Sequence, residues 1–410
     1  MTNYKSTRRA CYFANVSMAS VFVLPSLLFT KFNEMYGISF TLLGTLVLVN
    51  FLTQMFVDLI FTSFSHKFNI KLTVRIMPIL TSLGLVSFAL LPSLMLGNEY
   101  LGLVIGTVLF SVAAGLSEVL TSPIVAACPS DNPEKDMGLL HSLYGWGVVL
   151  AIGLSVVYFN IFGAENWQYL ALFFAFLPII TCVMYCIAPF PQIKNEKKVG
   201  EKGRGTGLAL CAACIFLGAC AENTMTAWIS SFAEVALNIP KTVGDILGFA
   251  VFAFLLALTR VLYSKFTPSI EKTLLFSMIG SAVCYFVVGL SPSVIVSFIA
   301  AILVGFFSAM LWPGTLIFME ENTSSPGVSA FALMAVGGDL GASFAPQLLG
   351  VVVDKVAVSK FAIDTSASLG IGTNEFAMKS GMLITAIFPF IGIFVLIAMI
   401  RFFKKNPQNK

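Results

Sequence analysis

Residues 115–123 read Gly-Leu-Ser-Glu-Val-Leu-Thr-Ser-Pro, and residues 305–313 read Gly-Phe-Phe-Ser-Ala-Met-Leu-Trp-Pro. Each stretch places a glycine eight residues before a proline, and each lies inside a long apolar run. A helix needs about 20 apolar residues, at 1.5 Å each, to cross a bilayer. Outward from these two stretches, runs of that length recur near residues 10–31, 40–63, 73–94, 100–125, 137–160 and 167–190, then 207–232, 244–264, 273–291, 293–319, 327–352 and 377–402. The quoted stretches fall in the fourth and the tenth run. The fifth and eleventh repeat a looser spacing, Gly145 with Gly153 and Gly338 with Pro346. The expected fold class is therefore an all-α membrane protein, with twelve transmembrane helices in two six-helix bundles. Their boundaries are residues 1–190 and 208–410, joined over residues 191–207 by a linker that carries Lys194, Lys197, Lys198, Lys202 and Arg204. Six-plus-six repeats build secondary transporters that rock about a midplane site.

Composition supports the same class. Of 410 residues 58% are hydrophobic and 11% charged, against roughly 25% charged in soluble domains. The net charge of +4 provides no basic surface to track nucleic acid. With His66 and His141 the only histidines, there is no metal-ligand spacing, nucleophile elbow or phosphate-cradling loop. The sequence is not that of an enzyme, and no cofactor or metal is expected; any driving energy comes from an ion or solute gradient. Alternating loops hold about 18 and about 5 Lys plus Arg, leaving out Arg260 inside its helix, so both termini and the linker are expected to be cytoplasmic in the cell's inner membrane. The short basic segment Met1–Arg9 leads into a first helix expected to be retained. The eight cysteines lie in apolar runs and read as packing residues. The loop near Val353–Glu375, with Asp364-Thr-Ser-Ala-Ser, is expected only to connect.

Charge inside a bilayer is costly and therefore informative. Glu118 lies about two-thirds along the fourth run, Glu222 and Asp339 near the middle of the seventh and eleventh, and Arg260 near the cytoplasmic end of the eighth. A carboxylic acid among apolar groups can carry a proton across the working pH range, which points to Glu118 as a proton carrier; the alternative is a permanently protonated acid bonded to a neighbouring helix. Glu222 is either similar or satisfied by Asn223, Thr224 and Thr226. Arg260 either snorkels or caps its helix, or pairs with a carboxylate in one conformation and releases it in another. Asp339, within Gly337-Gly-Asp-Leu-Gly341, suits close helix packing as well as a ligand.

Candidate substrate-binding residues are Asn15, Asn50, Gln54 and Asn223, which suit a hydroxyl-rich ligand or serve as interhelical glue. Tyr144, Trp228 and Trp312 suit the face of a sugar ring or plain aromatic packing. His141 opens the fifth helix near the cytoplasmic face, where a gating or structural role competes with binding.

Several spacings resemble the fucose:proton symporter family of the major facilitator superfamily. They are Glu118 five residues before Pro123, Glu222 six before Trp228, Phe252 eight before Arg260, His141-Ser-Leu-Tyr-Gly-Trp-Gly147, and Gly338 and Gly341 through Pro346 and Gly350. The resemblance implies the superfamily fold, a monomer, Glu118 as protonation site, and a small polar solute, a monosaccharide or similar polyol, taken up with a proton. Two departures stand out. The fucose transporter's first-helix acidic residue has no counterpart in Ala14–Phe22, and the superfamily's Gly and Asp-Arg-x-Gly loop reads Thr62 and His66-Lys-Phe-Asn69 with Lys71. There Asn69 can still take the left-handed turn a glycine would supply, and Asp58, two turns earlier, is the available substitute for the lost aspartate. The competing reading is proton-coupled efflux of drugs or metabolites, which the 39 phenylalanines fit.

Overall fold

A computed structural model describes residues 4–64, 67–130, 132–191, 205–266, 268–323 and 328–406. Among them the chain is helical, as it must be where hydrocarbon offers the backbone no hydrogen bonds. Twelve helical segments are long and apolar enough to cross a membrane. They are α1 (Lys5–Leu27), α2 (Phe40–Phe61), α3 (Ile70–Leu94), α4 (Glu99–Ala127), α5 (Asp136–Phe162), α6 (Ala164–Ile187), α7 (Gly205–Leu237), α8 (Lys241–Phe266), α9 (Ile270–Leu290), α10 (Val294–Asn322), α11 (Ala330–Ala357) and α12 (Thr373–Lys405). Most of the basic linker, residues 192–204, lies outside the described residues.

Two compact units result, one from Met1–Gly37 with Val49–Lys197, the other from Ile38–Leu48 with Lys198–Lys410. In the first, α3 packs on α4 and α6, and α1 on α5. The α3–α4 seam is reciprocal: Gly84 faces the backbone of Phe110, and Gly106 faces that of Phe88. A Cβ at either glycine would come within 2.5 Å of backbone atoms, so the missing side chains set the helix separation. The second unit is organised on α7, which α11 and α12 cover; Gly337 and Gly341, one turn apart, meet the backbone of α7 at Ala212 and Phe216. The first turns of α2 also belong here, and the Asp354 carboxylate accepts the Phe40 and Thr41 N–H groups at 3.1 and 2.6 Å. An anion at a helix N-terminus satisfies orphan donors and complements the dipole.

Two departures from regular helix bear on the site. The helix of α10 ends at Ser308 and resumes at Leu311. Pro313 has no N–H for the Ala309 carbonyl four residues earlier, and its ring crowds that oxygen. α4 holds Pro123 within one unbroken helix, so the repeated glycine–proline spacing interrupts the helix only in the second copy. In α8, Gly244–Ala250 is π-helical.

Two loops show local structure that the sequence reading did not specify. Asn69 is extended (φ −77°, ψ 95°) and caps α3, its side chain accepting the Leu72 N–H at 3.1 Å; a polar side chain able to cap removes the need for a left-handed turn. His66 lies outside the described residues. Within the loop 353–375, Lys360–Leu369 is a helix, started by the Ser359 hydroxyl on the Ala362 N–H and stopped at Gly370 with φ +67°. The eight cysteines are free thiols, six of them buried.

Gly106→Ala is expected to destabilise the protein by about 1–3 kcal/mol through overpacking. Gly153→Ala, where a Cβ meets nothing within 4 Å, is expected to be neutral or slightly stabilising. Thermal unfolding of the purified protein in detergent checks the pair.

Candidate functional site

In the first unit a polar stripe runs down α2 at four-residue spacing, Asn50, Gln54 and Asp58. Four residues approximate one helical turn, so the three share a face. Asn50 Oδ1 accepts from Gln54 Nε2 at 2.9 Å and from the Ser111 hydroxyl of α4 at 2.7 Å. Asn50 and Gln54 are both buried and tie α2 to α4. One turn further along α4, Gly115 faces α2; a Cβ there would lie 3.1 Å from Asp58 Oδ1, the Gln54 carbonyl oxygen and Val57 Cβ. Glu118 follows by another turn. It is exposed although it lies deep within the span, whereas Asp58 is only 6% exposed.

The other expected residues of this unit have protein partners. Asn15 Nδ2 donates to the Leu140 carbonyl of α5 at 3.1 Å, which is interhelical glue. Tyr144 is half-buried with its ring edge-on to Phe22, centroids 6.0 Å apart. His141 stands in α5, and its side chain lies outside the described residues.

In the second unit an ion pair joins α7 to α8. Arg260 Nη2 lies 3.0 Å from Glu222 Oε1 and 3.3 Å from Oε2, and Arg260 Nε donates to the Ala309 carbonyl at 3.0 Å. That carbonyl is the one Pro313 leaves without its helical donor. The proline of the repeated stretch thus creates the acceptor that orients the arginine. Side-chain exposure is 38% for Arg260 and 14% for Glu222. Arg260 is therefore held by a carboxylate instead of merely snorkelling. Thr226 does not satisfy the Glu222 carboxylate; its hydroxyl donates to the Glu222 backbone carbonyl at 2.8 Å.

Trp312 is half-buried and lies against Gly338; the glycine is required because a Cβ would collide with the indole. Trp228 is corrected from the ligand set. It is fully buried, its Nε1–H donates to the Pro346 carbonyl at 3.1 Å and its ring meets Phe40, so no face is open to a sugar. Asn223 Nδ2 donates to the Ala219 carbonyl of its own helix at 3.1 Å. Asp339 is buried in α11.

A second polar cluster escaped sequence reading. Asp245, 1% exposed, receives the Ser230 hydroxyl, and Lys241 Nζ lies 3.0 Å from Ser230 Oγ, 3.5 Å from Asp245 Oδ1 and 3.8 Å from Glu234 Oε2. Asp245 and Lys241 are four apart at the start of α8 and read as helix-terminal charges. Asp58 had a usable signal, its four-residue spacing from Gln54, but the α4 glycine it faces, Gly115, is not adjacent in sequence.

The sequence profile of the Major Facilitator Superfamily matches residues 10–346. Among curated proteins none matches the chain. Solved structures do. A bacterial homolog of the human lysosomal transporter Spinster, inward-facing and occupied, is similar at 14% identity over 99% of both chains, with a TM-score of 0.74. A D-xylose–proton symporter is similar at 13% identity over 95% of this chain and 98% of its own, TM-score 0.73. The nucleoside transporter NupG is similar at 12% identity over 97% and 100%, TM-score 0.69. At these identities the likeness establishes the fold.

Removing Glu222 leaves Arg260 with a single partner. Glu222→Gln is expected to cost roughly 1–3 kcal/mol, between the values for exposed and buried pairs. Glu222→Gln combined with Arg260→Met is expected to cost less than Glu222→Gln alone, since no charge is then left unpaired. Unfolding temperatures of the three proteins check the order.

Proposed function

On the premise that the chain belongs to the Major Facilitator Superfamily, we propose that it imports a small polar solute together with protons by alternating access. The observation that carries this reading is Glu118, an accessible carboxylate deep within a spanning helix. Such a group exchanges protons with water and changes its charge inside the bilayer, which biases the conformational equilibrium. Glu118 takes the proton from outside and releases it inward. Arg260 with Glu222 is the second charged element of the cycle, a pair that opens in one state and closes in the other. Asp339 stays in reserve as a further proton group.

The substrate proposed is a monosaccharide or similar polyol. Three observations support it: the spacings shared with fucose:proton symporters, the D-xylose–proton symporter and nucleoside transporter among the similar structures, and the half-buried rings of Tyr144 and Trp312. Both ring types can stack on a sugar face, and His141 is the remaining polar candidate. The moving bodies are the six-helix bundles 1–190 and 208–410, the linker 191–207 and both termini are cytoplasmic, the membrane is the cell's inner membrane, and the working unit is a monomer.

Proteoliposomes of known orientation, carrying an internal pH dye, test the reading against a panel of monosaccharides, polyols and organic cations. Acidification of the lumen on adding one external sugar is the expected result. Proton exit on adding a cation, with silence for every sugar, would establish efflux antiport instead. With the sugar so identified, Glu118→Gln is expected to retain exchange within about twofold while losing at least about tenfold in proton-driven accumulation, the scale of a lost acid–base group. Undiminished accumulation by Glu118→Gln would transfer the proton role to Glu222 or Asp339.

A further inference from the structure

Asp58 is a carboxylic acid inside a spanning helix, 6% exposed, and its Oδ1 atom has no hydrogen-bond partner among the described residues. A buried, unpartnered carboxylate oxygen carries a large desolvation cost, so the group calls for a ligand or a proton. Its surroundings narrow the choice. Oδ1 rests over Gly115 of α4, where a Cβ would stand 3.1 Å away, and Glu118 lies one turn further along the same helix. Glu118 is the group whose charge acts on Asp58.

Among the described residues, no cation on α1, α3 or α5, the elements packed on α4, forms an ion pair with Asp58 or Glu118, and the His141 side chain of α5 lies outside the described residues. From α1 come Arg8, Cys11 and Tyr12, but Arg8 is paired with Asp136 of α5 and Tyr12 lies on that same aspartate. From α3 comes Arg75, which donates to the Tyr185 and Cys186 carbonyls of α6. From α6 comes Tyr185, which packs in one buried cluster with Leu120 and Ile124 of α4 and with Cys11 of α1. Burial of Asp58 beside a second carboxyl group disfavours charge on both at once, and one proton held between them removes the repulsion and supplies the missing hydrogen bond.

We propose that Asp58 and Glu118 form one proton-binding unit, a carboxyl–carboxylate pair between α2 and α4 that holds a single exchangeable proton. Water reaches it at Glu118, the accessible member. On protonation the carboxyl group donates its O–H to the facing carboxylate; on release both oxygens carry charge and the contact loosens. Asp58 is thus a second proton-carrying residue, absent from the set the sequence singles out for coupling. Its role in transport rests on the proton-coupled reading above, whereas the pair itself does not.

The test is infrared titration of the carboxylic C=O stretch in the full-length protein in lipid nanodiscs, with aspartate and glutamate separately isotope-labelled and no substrate present. In Asp58→Asn the titration midpoint of Glu118 is expected to move by at least about one pH unit, and in Glu118→Gln that of Asp58 likewise, the sign of strongly interacting sites. Unmoved midpoints would overturn the pair. So would loss of the carboxylic band on adding sodium chloride, but not choline chloride, at constant pH, since the occupant would then be a sodium ion. Should Asp58→Asn fail to fold, the reciprocal measurement in Glu118→Gln stands alone.

Vesicle transport separates the two readings. Moved midpoints with no proton movement on any solute leave the pair standing and remove symport. Unmoved midpoints, with coupling lost only in Glu118→Gln, leave symport standing with Glu118 acting alone. With both readings right, Asp58→Asn loses about as much accumulation as Glu118→Gln, and the double variant loses no more, as for residues that act as a unit.

Discussion

Inside a bilayer no water is available to a polar group that the protein leaves unsatisfied, and the rest of this structure can be read as the consequence. The backbone answers by forming helices throughout the described spans. Side chains answer pairwise: Asn15 on the Leu140 carbonyl, Asn50 with Gln54 and Ser111, and Trp228 on the Pro346 carbonyl. Each joins elements that dispersion alone would let slide. Where helices approach most closely, glycine takes the place of such bonds, as at Gly84 with Gly106 and at Gly337 with Gly341. Small residues are the general means of bringing helices together when lipid is as apolar as the side chains it would replace.

Against that background the unsatisfied and the charged groups stand out. Pro313 removes a donor, the Ala309 carbonyl is left over, and Arg260 takes it while presenting its other nitrogens to Glu222. A backbone defect is thereby converted into a fixed orientation for a cation. In the first unit no described cation pairs with Asp58 or Glu118, the latter accessible and the former covered. The two sites therefore differ in character, one a carboxylate paired with an arginine and the other the two carboxyl groups proposed to share a proton. A cycle that stores and releases charge needs both kinds, a site that changes its charge and a pair that can exchange partners.

The polar residues that looked most suited to a sugar were largely the ones used for packing. Amide side chains serve equally for hydroxyl groups and for carbonyls of a neighbouring helix, and sequence alone does not distinguish the two. Asn15, Asn50, Gln54 and Asn223 all have protein acceptors or donors. Tyr144 and Trp312 keep partly open rings, the latter because Gly338 leaves room for it.

The sequence by itself determined the class, the twelve spans and the repeated glycine–proline stretches, because length and apolarity within a run are local properties that the bilayer reads directly. It also singled out Glu118, Glu222 and Arg260, since a charge within such a run is visible without knowing its neighbours. Tertiary structure alone decided which charges meet. The pairing of Glu222 with Arg260 spans two helices, the freed Ala309 carbonyl comes from a third, and Asp58 acquires its meaning from a glycine and a glutamate on another helix. Likewise only the fold could show that Asn69 caps instead of turning left-handed and that Trp228 is closed off. Pattern along a chain reports which face of a helix is apolar; what that face touches depends on rotations and separations set by glycines and prolines far away in sequence.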